Sequence, residues 1–219
     1  MNLDSLKPRK FLSLGRHDLP HVGDLSKPYF VAIGCSVTVG TGVPYRDSWV
    51  DLLGQRLGLE HVNLALDGSS LEYQYHKLLE TEKVLTDAKF MLWMQSQPIR
   101  SHRMMIRKII GDKRARIFID DTLFRTPDVL GRMWRKLYRF YDLTKNKKLI
   151  YTNTWNWDPR LLLLLKSKIA KSDKKYFFND GIVKDKGDDG EHPGSQTHFD
   201  FAQKIHTHIN THFPFLTNK

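Results

Sequence analysis

From Tyr29 onward the chain alternates short apolar runs with amphipathic stretches, and this alternation limits what it can fold into. Tyr29-Phe30-Val31-Ala32-Ile33 is apolar at every position, the pattern of a central parallel strand covered on both faces. A glycine-rich segment, Gly34 to Gly42, follows it, and Ser48 to Leu57 then carries Trp49, Val50, Leu52, Leu53 and Leu57 on one helical stripe. The cycle recurs. Strands are expected at His61–Leu66, Lys89–Met94, Lys148–Thr152 and Tyr176–Phe178. Helices are expected at 71–85, 99–110, 127–143, 160–169 and 195–211. Strands alternating with helices predict an α/β fold, a three-layer α/β/α sandwich around a mainly parallel, flavodoxin-like sheet of about five strands.

Residues 1–28 lack this periodicity and are punctuated by Pro8, Gly15, Pro20, Gly23 and Pro28, so they read as an extended arm ahead of one domain at 29–219. No apolar run is long enough to span a membrane or to follow the basic N-terminus as a signal peptide. A lone cysteine, Cys35, excludes an intramolecular disulfide, and together these features point to a reducing, cytoplasmic setting. The net charge is +11, but its basic residues are spread over 100–116, 132–139, 145–148 and 166–175. Such a spread suits solvated helix faces, with a weak polyanion-binding surface as the alternative.

The loop after the first strand fits neither nucleotide-binding pattern. No lysine occurs between Tyr29 and Tyr75, as a phosphate loop would need, and Gly40-Thr41-Gly42 is followed by Val43, Pro44 and Tyr45 with no third glycine. What remains is Ser36, at the exit of a buried strand, where a hydroxyl and its own N–H can face the same space as nucleophile and oxyanion donor. A serine there can equally cap the next helix. At the other end of the chain, Asp189-Gly190-Glu191-His192-Pro193-Gly194 sets a carboxylate three residues before a histidine. Asp189 at that spacing can accept from Nδ1 while Nε2 faces outward as a general base, with Asp188 and Glu191 as alternative carboxylates.

Gly34-Cys35-Ser36 resembles the Gly-Asp-Ser block of the SGNH/GDSL hydrolases, with Cys35 in place of the usual Asp. Asn63 to Ser70 resembles their second block, and Asp189-x-x-His192-Pro193 their last. The resemblance covers about residues 29–211 and implies a serine esterase acting on small acyl esters, for example acetyl groups on sugars or short lipid esters. It implies a triad of Ser36, Asp189 and His192, and an oxyanion hole of the Ser36 and Gly68 N–H groups with an amide side chain. The family's third block reads Gly-x-Asn-Asp, whereas here Gln95-Ser96-Gln97-Pro98 stands in its place. Gln97 aligns best with the Asn, and Gln95 is the alternative. No metal or organic cofactor is implied. The alternative function is a binding or structural module that kept the fold and lost its rate.

Other polar groups carry weaker expectations. Arg100 and Arg103, after the third strand, could hold an anionic substrate group. Trp155 and Trp157, after the fourth, could form a substrate platform or simply pack. Trp93 reads as core, His198 as a structural residue flanking the site, and His206, His208 and His212 as a solvated helix face rather than metal ligands.

Overall fold

A computed structural model of the chain describes residues 21–94, 149–153, 175–179 and 183–216, together with Arg135. The described strands are β1 (His21–Val22), β2 (Tyr29–Ile33), β3 (Glu60–Asn63), β4 (Met91–Met94), β5 (Leu149–Asn153) and β6 (Lys175–Asn179). They form one sheet in the order β1-β3-β2-β4-β5-β6. All neighbours pair in parallel except β1, which lies antiparallel on β3 at the edge. In chain order the parallel strands run 2-1-3-4-5, the doubly wound arrangement whose winding reverses at the first strand. The antiparallel edge strand β1 falls inside the stretch read as an extended arm, so the sheet has six strands among the described residues rather than about five.

The described helices are α1 (Ser36–Val39), α2 (Trp49–Leu57), α3 (Leu71–Glu80), α4 (Glu82–Asp87) and α5 (Ser195–His212). The connections from β2 to β3 and from β3 to β4 travel in opposite directions across the sheet. If both crossovers keep the usual right hand, their helices must fall on opposite faces. They do, and side-chain alternation along β2 divides the core accordingly. Tyr29, Val31 and Ile33 pack with Leu78, Val84 and Leu85 of α3 and α4. Phe30 and Ala32 pack with Trp49, Val50, Leu53 and Leu57 of α2 and with Phe201, Ala202, Ile205 and Ile209 of α5. Trp49 meets Phe201 edge to face, ring centroids 5.2 Å apart, which seats the last helix against the first long one.

Local chemistry sets the boundaries. Ser48 caps α2 by accepting from the Asp51 N–H, and Gly58, at φ 62°, ends it in the left-handed region. The single helix expected over 71–85 is two, broken at Thr81, whose hydroxyl donates to the Lys77 carbonyl. The glycine-rich segment after β2 contains a helical turn, α1, in place of a continuous loop. No helix among the described residues is long and apolar enough to cross a membrane.

Candidate active site

The carboxyl end of β2 lies between those of β3 and β4, and the winding reverses between β2 and β4, where doubly wound sheets leave a crevice. Ser36 opens α1 directly after β2 and is 3% exposed. The Cys35 carbonyl accepts from the Thr38 and Val39 N–H groups, and the Ser36 carbonyl from Gly40 and Thr41, so the turn is closed by its own backbone bonds. Gly34 admits this tight turn because a Cβ there would collide with Thr38 and stand 3.0 Å from the Met94 carbonyl oxygen.

Two side chains tie the exit of β3 to the same turn. Asn63 donates through Nδ2 to the Thr38 carbonyl at 2.8 Å and accepts from the Ala65 N–H at 3.1 Å. Ser69 donates to the Gly34 carbonyl at 2.7 Å. Between them Gly68 sits at φ 71°, and a Cβ on it would meet nothing within 4 Å. The proposed donor N–H therefore sits on a left-handed turn with open space beside it.

Asp189 and His192 lie on the segment leading into α5. The Asp189 carboxylate accepts from the His192 N–H at 2.9 Å, the Glu191 N–H at 3.0 Å and His192 Nδ1 at 2.6 Å. The His192 N–H chiefly, with the Glu191 N–H and the imidazole, lowers the Asp189 pKa to about 2 against an opposing effect of burial. An ionised carboxylate only accepts, so Nδ1 carries the proton and Nε2 is left as the basic nitrogen. Of the three candidate carboxylates, Asp189 is the one at the imidazole.

This segment packs against the loop that carries Ser36. The Asp188 N–H donates to the Gly42 carbonyl at 2.8 Å, and a Cβ on Gly42 would lie 3.0 Å from Asp189 Oδ1 and 3.3 Å from His192 Cβ. Farther along, Ser195 donates to Asp47 at 3.0 Å. His198 lies in the first turn of α5, 1% exposed, and accepts through Nδ1 from the Trp49 N–H at 3.1 Å. Burial lowers its pKa to about 4, so its ring is neutral.

The sequence-predicted residues thus divide. Asp189 and His192 are hydrogen-bonded, and Ser36 and Gly68 stand on adjoining loops at one sheet edge. Gln97, Gln95, Arg100, Arg103, Trp155 and Trp157 lie outside the described residues. Trp93 is core, as expected, with its indole N–H donating to Gln74 at 2.9 Å. Among the described residues no cluster of three or more His, Cys, Asp or Glu side chains could hold a metal ion. Sequence reasoning missed the tying roles of Asn63 and Ser69 and the bond from the Asp188 N–H to the Gly42 carbonyl. The one available signal was Asn63 and Ser69 flanking the second block.

No family model and no curated protein matches the sequence. Solved structures do match in fold. A family two carbohydrate esterase from Clostridium thermocellum, in complex with cellohexaose, aligns with a TM-score of 0.54 at 12% identity over 84% of this chain. An acetyl xylan esterase from Butyrivibrio proteoclasticus aligns with a TM-score of 0.51 at 11% identity, also over 84% of this chain. This chain spans 64% of the length of each of these two. A protein from Desulfitobacterium hafniense described as of the lipolytic G-D-S-L family aligns with a TM-score of 0.53 at 14% identity, over 82% of this chain and 98% of its own. The chain shares the α/β fold of these three proteins, two of them esterases.

Proposed function

We propose that the protein is a serine esterase that removes small acyl groups, acetyl among them, from sugar or short lipid esters. The observation that carries this reading is the 2.6 Å bond from His192 Nδ1 to Asp189, on a segment packed against the loop of Ser36. His192, oriented by Asp189, takes the proton of Ser36 as Oγ attacks the ester carbonyl. The N–H groups of Ser36 and Gly68 hold the developing oxyanion, and the resemblance assigns the third donor to Gln97. His192 then protonates the departing alcohol, and water, activated by the same imidazole, releases the acyl group and restores Ser36. The carbohydrate side of the proposal draws on the fold shared with carbohydrate esterases, one of them in complex with cellohexaose. The chemistry uses the chain's own side chains and backbone N–H groups, with water as the second nucleophile.

Gln97, in the place of the family's Asn, favours a second reading in which the fold persists as a binding module and turnover has been lost. Removing one oxyanion donor costs about 10²- to 10³-fold in rate, so a displaced amide would be felt. Hydrolysis of a chromogenic acetyl ester by the parent and by Ser36→Ala separates the two readings. Turnover that vanishes in the variant supports the esterase. Equal turnover by both removes the mechanism.

A further inference from the structure

Helix α5 begins without a cap of its own. Gly194 occupies the N-cap position and offers no side chain, which would leave the first-turn N–H groups of the helix unsatisfied. Asp185, upstream along the chain, supplies what is missing. One carboxylate oxygen accepts from the Gln196 N–H at 2.9 Å, and the other from the Thr197 N–H at 2.8 Å and the Thr197 hydroxyl at 2.6 Å. Thr197 Oγ1 in return accepts from the N–H groups of Lys184 and Asp185, at 2.9 and 3.2 Å. This is the reciprocal logic of a capping box, run across a loop instead of within one turn.

The loop closed by that exchange is the one that carries Asp189 and His192. Its neck is held by the Gly194 N–H donating to the Asp185 carbonyl at 3.0 Å, by the bridge between Lys186 and Pro193, and by the Gly187 N–H donating to the His192 carbonyl at 2.9 Å. The His192 backbone is therefore referenced to the helix axis through Asp185. Its side chain is only partly covered, 23% exposed, and its ring is held by the bond to Asp189. The hydrogen bonds from Thr197 and from the Gln196 N–H keep the Asp185 carboxyl below its usual range against an opposing effect of burial, so it stays an acceptor at working pH.

We infer that Asp185, with Thr197 as its partner, is a positioning residue for the His192 imidazole, fixing the closed loop on the end of α5 without touching the reacting atoms. The inference rests on the esterase reading for its kinetic consequence, but not for its structural one. Asp185→Ala removes the carboxylate. Thr197→Val removes the hydroxyl while keeping the helix N–H, which guards against loss of folding in the first variant. The expected kinetic result is a fall in kcat of about tenfold to a hundredfold, the scale of a small misplacement of a catalytic group. KM should stay within about twofold, because uniform binding is not what changes.

A second readout does not depend on turnover. The short Nδ1–H bond to Asp189 should give a low-field proton resonance, assigned by its loss in His192→Ala. Both positioning variants should lose or broaden it through solvent exchange while far-ultraviolet circular dichroism stays that of the parent. If the parent proves inactive and the resonance still disappears in the variants, the esterase reading fails and the positioning role stands. If Asp185→Ala does not fold, Thr197→Val decides alone. A resonance and a kcat that survive both substitutions, or a resonance absent from the parent, overturn the inference.

Discussion

Gly42 and Gly187 meet backbone to backbone. A Cβ on Gly187 would fall against the Gly42 carbonyl group, 2.8 Å from its carbon, while the neighbouring Asp188 N–H donates to the same carbonyl oxygen at 2.8 Å. The loop after the first parallel strand and the loop before the last helix are joined here, although they lie far apart in sequence. The candidate triad depends on that junction, because Ser36 is on one side of it and His192 on the other.

Substitution at the junction should separate activity from folding. In Gly187→Ala the methyl group must push the two backbones apart, at a cost of roughly 1–3 kcal/mol in stability. Gly42, at φ 90°, adds a left-handed backbone that a Cβ disfavours by roughly 1–2 kcal/mol. Both variants should fold, melt earlier in thermal unfolding, and lose about tenfold or more of kcat/KM on an acetyl ester. Unchanged kcat/KM in both would mean that the junction does not set the site.

Asp189→Asn keeps the shape of the acceptor and removes its charge. The amide no longer compensates a developing imidazolium and can present an N–H to Nδ1, reversing the tautomer, so kcat should fall by about 10²- to 10⁴-fold with KM little changed. With its pKa lowered to about 2, chiefly by the His192 N–H, Asp189 is ionised well below neutral pH, so a low-pH limb of kcat/KM above about pH 4 should not be its own protonation. Its depressed pKa contributes stability above about pH 4, lost as pH falls through about 2. A kcat/KM profile and an acid melt of the parent and the variant check both statements. A variant with parental kcat would remove Asp189 from the mechanism.

Much of this was legible in the residues. Tyr29–Ile33 reads as a central strand because both its faces are buried, and the Asp189–His192 spacing reads as a hydrogen-bonded pair because three residues of turn bring carboxylate and imidazole together. The turn at Ser36–Val39 was hidden, since Val and Thr carry little helix propensity and the turn is held by backbone bonds to the Cys35 carbonyl. The break at Thr81 was hidden for a similar reason, because a hydroxyl bonding one turn back leaves the apolar pattern intact. Strand β1 went unseen because two residues carry no periodicity. The tie of Asp185 to Thr197 escaped as well, because capping rules look to the residue just before the helix and here find Gly194.

His198 should make stability depend on pH. Its ring is buried and neutral, with a pKa lowered from 6.5 to about 4, chiefly by burial. Between those values the unfolded chain binds a proton that the folded chain does not, so stability falls as pH drops from about 6.5 to about 4 and is flat above. The loss is on the order of 3 kcal/mol. His198→Asn can still accept from the Trp49 N–H but does not titrate, so its urea midpoint should vary less than the parent's between pH 7 and 4. Equal pH dependence in the two proteins would assign the acid sensitivity elsewhere.

Gly68→Ala tests the second loop. The left-handed φ of 71° should cost the alanine roughly 1 kcal/mol of stability, with no clash, since the space beside it is open. If that space receives the carbonyl oxygen of the substrate, the methyl group should lower kcat/KM by about tenfold or more, beyond what the small stability loss explains. Thermal melts beside steady-state kinetics give both numbers. A variant that is less stable yet fully active would take the Gly68 N–H out of the oxyanion hole.

The most direct measurement is covalent labelling with a fluorophosphonate, read by mass spectrometry of the digested protein. Activation of the Ser36 hydroxyl by the Asp189–His192 pair predicts one adduct, on Ser36, forming in the parent and all but abolished in His192→Ala. No adduct, an adduct on another residue, or labelling of Ser36 at the same rate without the imidazole would contradict it.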